Sequence, residues 1–196
     1  MISSAGRNEV PIPVPSVTAF DGVEVRQFGP SDSVRDLTYL LHRAYARLGS
    51  MGLRYMATHQ SDEVTRERVS QGECYVALVG GALVGTIVFK PADRTGGCPW
   101  LDRPEIASLG QFAVAPERQA LGLGACLMDL VEARAAEAGA EEIALDTAES
   151  AAHLVAWYGR RGYRLIEHAQ WGHTNYRSVI MSKRVRRSEE TWRPDV

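Results

Sequence analysis

The run Gln119-Ala120-Leu121-Gly122-Leu123-Gly124 lies between a stretch with strand character, Ser108 to Val114, and a helical one, Leu123 to Ala138. That placement makes it a candidate phosphate cradle. A glycine-punctuated turn entering a helix leaves the first backbone N–H groups without intrahelical acceptors, aligned with the positive end of the helix dipole. Gly122 and Gly124 let a ligand approach the main chain closely. Two other phosphate loops do not fit. A P-loop ends in Gly-Lys-Ser/Thr, whereas Gly124 is followed by Ala125 and Cys126. A dinucleotide-binding turn needs a third glycine where Leu127 stands. The local pattern by itself also suits a tight turn into an amphipathic helix.

The elements that must carry this turn can be read from periodicity. Alternation from Val23 to Phe28 predicts a strand, and Leu37, Leu40, Leu41, Ala44 and Leu48 predict a helix over Ser33 to Leu48. A second helix follows Ser61 as N-cap and ends near Gly72. Cys74–Val79 and Ala82–Phe89 flank Gly80-Gly81, a hairpin signal, because primed turns need positive φ at both central residues. After a loop from Pro91 to Pro104, Ile106 to Val114 resumes as a strand. The next helix buries Leu123, Leu127, Leu130, Val131, Ala135 and Ala138 and stops at Gly139. A strand from Glu142 to Asp146, a helix from Ser150 to Arg160, and strands Tyr163–Ala169 and Arg177–Lys183 complete an α/β fold with a mixed sheet. Residues 1–20, with Pro11, Pro13 and Pro15, read as an extended arm, 21–185 as one domain, and 186–196 as a tail.

Composition narrows the function classes. The 196 residues, 45% hydrophobic, suffice for one substantial core. No run approaches the roughly eighteen apolar residues of a membrane span, and the N-terminus lacks a signal-peptide block, so a cytoplasmic protein without membrane partners is expected. The net charge of −2 offers no broad field for nucleic acid. Cys74, Cys98 and Cys126 are odd in number and widely spaced, which suits neither a disulfide framework nor a metal site.

Phe112-Ala113-Val114-Ala115-Pro116-Glu117-Arg118-Gln119-Ala120-Leu121-Gly122-Leu123-Gly124, followed by Trp157-Tyr158-Gly159-Arg160-Arg161-Gly162-Tyr163, resembles the paired signatures of the GNAT superfamily of acyl-CoA-dependent N-acyltransferases. The resemblance covers Asp21 to Arg184 in element order and is sharp from Ser108 to Tyr163. It implies a mostly antiparallel central sheet, flanked by helices, with a V-shaped splay between Ser108–Val114 and Glu142–Asp146. It further implies acetyl-CoA as acyl donor. The pantetheine arm would pair with Phe112, Ala113 and Val114 by strand addition. The pyrophosphate would lie over Ala120, Leu121, Gly122, Leu123, Gly124 and Ala125, with Arg118 or Gln119 nearby and Arg160 or Arg161 at the rim. Tyr158 would sit beside the thioester sulfur as general acid, a phenol of unperturbed pKa about 10 facing a thiolate of similar basicity.

The general base is less legible. Family members that acetylate protein lysines carry glutamate where this chain has Ser108, and the family's usual asparagine before the tyrosine is Ala151 here. Of Glu105, Asp146, Glu149 and His153, Glu105 ranks first as the base. Tyr45, Tyr55, His59, Trp100, Trp171, His173 and Tyr176 are candidates to rim an acceptor cleft, with Gln170 to Tyr176 as its lid. The expected acceptor is the primary amine of a small molecule or amino-acid derivative. A protein or peptide amine and a catalytically silent acyl-CoA-binding module stand as alternatives, and a homodimer is left open.

Overall fold

The computed structural model describes residues 22–185. The proline-rich arm and the C-terminal tail assigned from sequence lie outside the described residues. Strand β1 (Val23–Gln27) leads to helix α1 (Val34–Ser50), and helix α2 (Asp62–Ser70) follows a short helical turn at Met56–Thr58. Local chemistry explains both helix starts. The Ser33 hydroxyl accepts the Asp36 N–H at 3.2 Å, and the Ser61 hydroxyl accepts the Val64 N–H at 3.3 Å, each satisfying a first-turn donor. Helix α1 buries Leu37, Leu40 and Leu41 against the sheet.

Strands β2 (Glu73–Val79) and β3 (Ala82–Lys90) form the expected hairpin, with Gly80 at φ 56° and Gly81 at φ 82°. Strand β4 (Ile106–Val114), helix α3 (Leu123–Glu137), strand β5 (Glu142–Ala148), helix α4 (Ala152–Arg160) and strands β6 (Arg164–Ala169) and β7 (Ser178–Arg184) complete the order. One seven-stranded sheet runs β1-β2-β3-β4-β5-β7-β6. Its β4–β5 junction is parallel and the others are antiparallel. The mixed, mostly antiparallel sheet expected from sequence is therefore the observed one.

The parallel junction is short. Its pairs are Ile106↔Glu142, Ala107↔Ile143 and Ser108↔Ala144, after which the strands part. Gln111 supplies the cause. It adopts φ 46°, and the β3–β4 register shifts between Thr86 and Val88, so β4 carries an extra residue and bends where it would otherwise follow β5. Helix α3 bridges the two halves, with Leu127, Met128 and Val131 fully buried beneath it.

Most boundaries shift by one or two residues from the sequence reading, and two of them bear on the site. Strand β5 runs on to Ala148 because its pairing with β7 continues to Ser178 and the Tyr55 hydroxyl accepts the Ala148 N–H at 2.8 Å. Helix α4 starts at Ala152, behind Ala151 in a non-helical conformation (φ −82°, ψ 60°) and with no side-chain cap. Among the described residues, no helix is long and apolar enough to cross a membrane.

Candidate active site

Two clefts open on either side of the splay, and Tyr45, Phe112 and Tyr158 line both. The larger, about 700 Å³, runs between α1, the end of β4, the start of α3 and α4. Its floor is main chain. Helix α3 follows Gly122 at φ 89° with no side-chain cap, and Ala120 also adopts positive φ, at 61°. The first amide here with a backbone acceptor is Cys126 N–H, which donates to the Gly122 carbonyl at 3.1 Å. The Leu123, Gly124 and Ala125 N–H groups at the head of the helix have no acceptor among the described residues, as anion binding requires, and Gly124 lines the cleft. A Cβ on Gly124 would lie 3.3 Å from Phe112 Cζ and 3.7 Å from Val114 Cγ2, a tight fit that a longer side chain would worsen.

Phe112, Ala113, Val114, Gln119, Ala120, Gly122, Gly124 and Tyr158 all line the larger cleft. Arg118, Leu121, Leu123 and Ala125 do not, and the reasons are local. Leu123 is core, Leu121 is turned to solvent, and of the short helical turn Pro116–Arg118 it is Pro116, not Arg118, that reaches the cleft. Gln119 turns back instead, its Nε2 donating to the Val114 carbonyl at 3.1 Å and bracing the loop. The sequence reading missed Arg43 and Arg47, which reach the cleft from successive turns of α1. Arg160 lines it as well, whereas Arg161 is tied to Asp129 and Glu132 at 2.6 and 3.1 Å. Arg47, His153 and Arg160 face a lining that includes no carboxylate, Arg43 beside them pairs with the exposed Glu117 at 2.7 Å, and with the free amides these cations fit the phosphates of a coenzyme A thioester.

Tyr158 is 7% exposed and held by an aromatic chain. Phe112 stacks on Trp157 at 5.9 Å, Trp157 meets Tyr158 edge-on at 5.1 Å, and Tyr158 meets Tyr163 at 5.9 Å. Burial raises the Tyr158 phenol well above its ordinary value, so it is protonated throughout the neutral range. Beside it, the Tyr45 hydroxyl donates to the Phe112 carbonyl at 3.0 Å.

The second cleft, about 510 Å³, lies between α2, the ends of β3 and β4, β5 and the β6–β7 loop. Tyr45, Tyr55, Trp171, His173 and Tyr176 line it as the sequence suggested, while His59 and Trp100 do not. His59 Nδ1 and the Thr58 hydroxyl share a hydrogen bond at 2.9 Å, and Trp100 packs under the guanidinium groups of Arg103 and Arg164. The loop from Gln170 to Tyr176 is a pinned wall rather than a lid. Asn175 bonds the Arg54 N–H and the Gly52 carbonyl, each at 2.8 Å, and Trp171 Nε1 donates to Asp146 at 3.0 Å.

Glu105 is not brought to either cleft. Its carboxylate is bound by Arg103, through Nε at 2.7 Å and through Nη2, on the outer side of β4. Glu149 is likewise taken by Arg177 and His168. Asp146 is the strand carboxylate inside the second cleft. Its Oδ2 accepts from Trp171 Nε1 and from the Ser178 hydroxyl, both at 3.0 Å, which fixes the group and leaves Oδ1 without a protein partner among the described residues. Ser108 also lines this cleft, bonded to the Thr95 hydroxyl at 2.9 Å.

The sequence pattern of the acetyltransferase (GNAT) family matches residues 37–163. The S-(2-succino)cysteine N-acetyltransferase of Bacillus subtilis is 26% identical over 137 residues, 66% of this chain and 79% of that protein. A GNAT family acetyltransferase from Elizabethkingia anophelis, solved with acetyl-CoA bound, superposes with a TM-score of 0.59 at 17% identity, over 84% of this chain and 99% of that one. The ribosomal-protein-S18-alanine N-acetyltransferase of Escherichia coli gives 0.63 at 15% identity, over 88% and 99%. At these identities the structural likeness shows the fold.

Proposed function

The chain belongs to the GNAT acetyltransferase family, and from that premise we propose that it transfers the acetyl group of acetyl-CoA to a primary amine of a small molecule or amino-acid derivative. The observation that carries this reading is the meeting of two chemically distinct clefts at Tyr158, one suited to phosphates and one walled by aromatic and charged side chains. Acetyl-CoA supplies an acyl carbon activated as a thioester. The protein's part is to hold the donor on the free amides and on Arg43, Arg47 and Arg160, and to hold the amine against it in one ternary complex.

Attack by a neutral amine forms the C–N bond and breaks the C–S bond, so one proton must leave nitrogen and one must reach sulfur. Asp146 takes the first, directly or through water, with its free Oδ1 as acceptor. Tyr158 serves the second. Because burial raises its phenol, Tyr158 acts chiefly as a hydrogen-bond donor to the departing sulfur, with proton transfer completed as the thiolate leaves.

A small acceptor is favoured over a protein chain because the loop that walls the second cleft is tied down at Asn175 and does not offer an adaptable groove. The Bacillus subtilis relative, named for a cysteine derivative, supports the same choice. The test is calorimetric titration with acetyl-CoA, ATP and a nicotinamide dinucleotide, followed by thiol release across an amine panel. Selective binding of acetyl-CoA and thiol release with a small amine are expected. No acetyl-CoA binding would overturn the reading.

A further inference from the structure

Half-buried cations in a folded chain are normally matched by carboxylates, and several here are. Arg26 meets Asp32 at 2.6 Å, Arg134 meets Glu73 at 2.8 Å, and Lys183 meets Glu132 at 2.5 Å. The wall of the second cleft departs from that pattern. Arg68, on α2, donates from Nη1 to the neutral amide oxygen of Gln60 at 2.8 Å. Lys90, at the end of β3, donates to the amide oxygen of Gln71 at 2.7 Å. Neither makes an ion pair among the described residues. Burial lowers the pKa of both, the charge of Arg68 lowers Lys90 further, and Asp146 offsets this only in part. Two like charges thus share one enclosed wall, an arrangement that costs stability unless an anion joins them.

A third donor lies on the same wall, and its orientation follows from Arg68. A guanidinium has no acceptor, so Gln60 must turn its oxygen toward Arg68 and its Nε2 toward Thr65 and Gln111. Gln111 therefore presents its oxygen to Gln60, at 2.8 Å, and its own Nε2 is left as a buried donor with no acceptor. Gln111 is only 4% exposed and lines the cleft. An orphaned amide donor beside two uncompensated cations calls for an acceptor with several oxygens.

We propose that Arg68 and Lys90 form a carboxylate-binding wall, so that the amine this enzyme acetylates carries at least one carboxylate. The acid end faces α2 and β3, and the amine end faces Asp146 on β5, across the cleft. Arg94 adds positive charge at the rim. Glu67 also lines the cleft, but it is exposed and adjacent to Arg68 in the helix, where neighbours diverge. The planar guanidinium suits the two oxygens of a carboxylate, and the lysine adds a point charge. This inference rests on the acetyltransferase reading, whose failure would show separately.

The test uses matched acceptors: the common amino acids and S-carboxymethylcysteine, each against its own carboxamide. Thiol release gives kcat/KM for each acid and amide with the wild-type protein, Arg68→Gln and Lys90→Gln. Acetyl-CoA affinity, measured by calorimetry, checks that both variants are folded. The wild-type protein is expected to prefer the best acid over its amide by at least tenfold. Arg68→Gln is expected to reduce that ratio by about tenfold and Lys90→Gln by somewhat less. Amides turned over as well as acids, or a preference unmoved by both substitutions, would overturn the carboxylate wall while leaving acetyl transfer standing. Acetyl-CoA binding without thiol release from any amine would overturn the small-amine reading and the wall together.

Discussion

The larger cleft takes its floor from one turn, at Gln119, Ala120, Gly122 and Gly124, whereas the second is walled by side chains from α2, β3, β4, β5 and the β6–β7 loop. The first asks of the sequence only that glycine stand where a side chain would block the main chain, as Gly124 does against Phe112. Many residues are acceptable elsewhere in it. The second asks for particular charges at positions as far apart as Arg68 and Asp146, and the fold alone brings them together. Donor recognition is thus carried by backbone geometry that a family can keep unchanged, and acceptor recognition by side chains that each member can replace.

That division can be broken most sharply at Gly124. Gly124→Glu puts bulk against Phe112 and a negative charge among the free amides, and acetyl-CoA affinity by calorimetry is expected to fall at least a hundredfold. Unchanged affinity would remove the backbone cradle. Next in size is Tyr158→Phe, which should lower kcat by about a hundredfold while acetyl-CoA affinity changes less than threefold. Burial raises the phenol, so its loss of a proton lies on the far alkaline side. The wild-type rate should therefore show no alkaline fall below pH 9 that Tyr158→Phe abolishes, and finding such a limb would show that the phenol is not held in this environment.

Asp146→Asn keeps the size of the side chain but removes the proton acceptor. A fall of about tenfold in kcat/KM is expected, with acetyl-CoA binding intact, since the residue lies in the second cleft alone. If donor affinity falls as well, the two clefts are not separable at this position. Tyr55→Phe is expected to touch turnover least and stability instead, because it leaves the Ala148 N–H without its acceptor. Thermal or denaturant unfolding should show a loss of about 1–3 kcal/mol.

The same contrast explains what the sequence disclosed. The hairpin at Gly80-Gly81, the helix cap at Ser61 and the loop into α3 depend on residues a few places apart, and each is where periodicity and turn chemistry put it. The bulge at Gln111 carries no glycine at the bent residue and was invisible, although it opens the splay. Glu105 was favoured for its nearness to β4 in sequence, yet Arg103, two residues away, holds it outside the clefts. Asp146 was only one of several candidates because its partners Trp171 and Ser178 come from distant segments. Arg68 and Lys90 drew no notice, since an unmatched charge is a property of surroundings and not of a residue. Arg43 and Arg47 left a faint signal in their spacing of one helical turn.

The brevity of the β4–β5 junction has a consequence for the protein's persistence. Three residue pairs join the half-sheet β1–β4 to the half-sheet β5–β7–β6 by main-chain bonds. A molecule that pairs with β4 beyond Ser108 acts as a temporary strand between them, and amide hydrogen exchange in Gly110 to Val114 should slow when it is present. By mass action, such a ligand at a hundred times its Kd adds about 2.7 kcal/mol to the folded state. The lifetime of the folded chain against proteolysis would then follow the supply of its own donor.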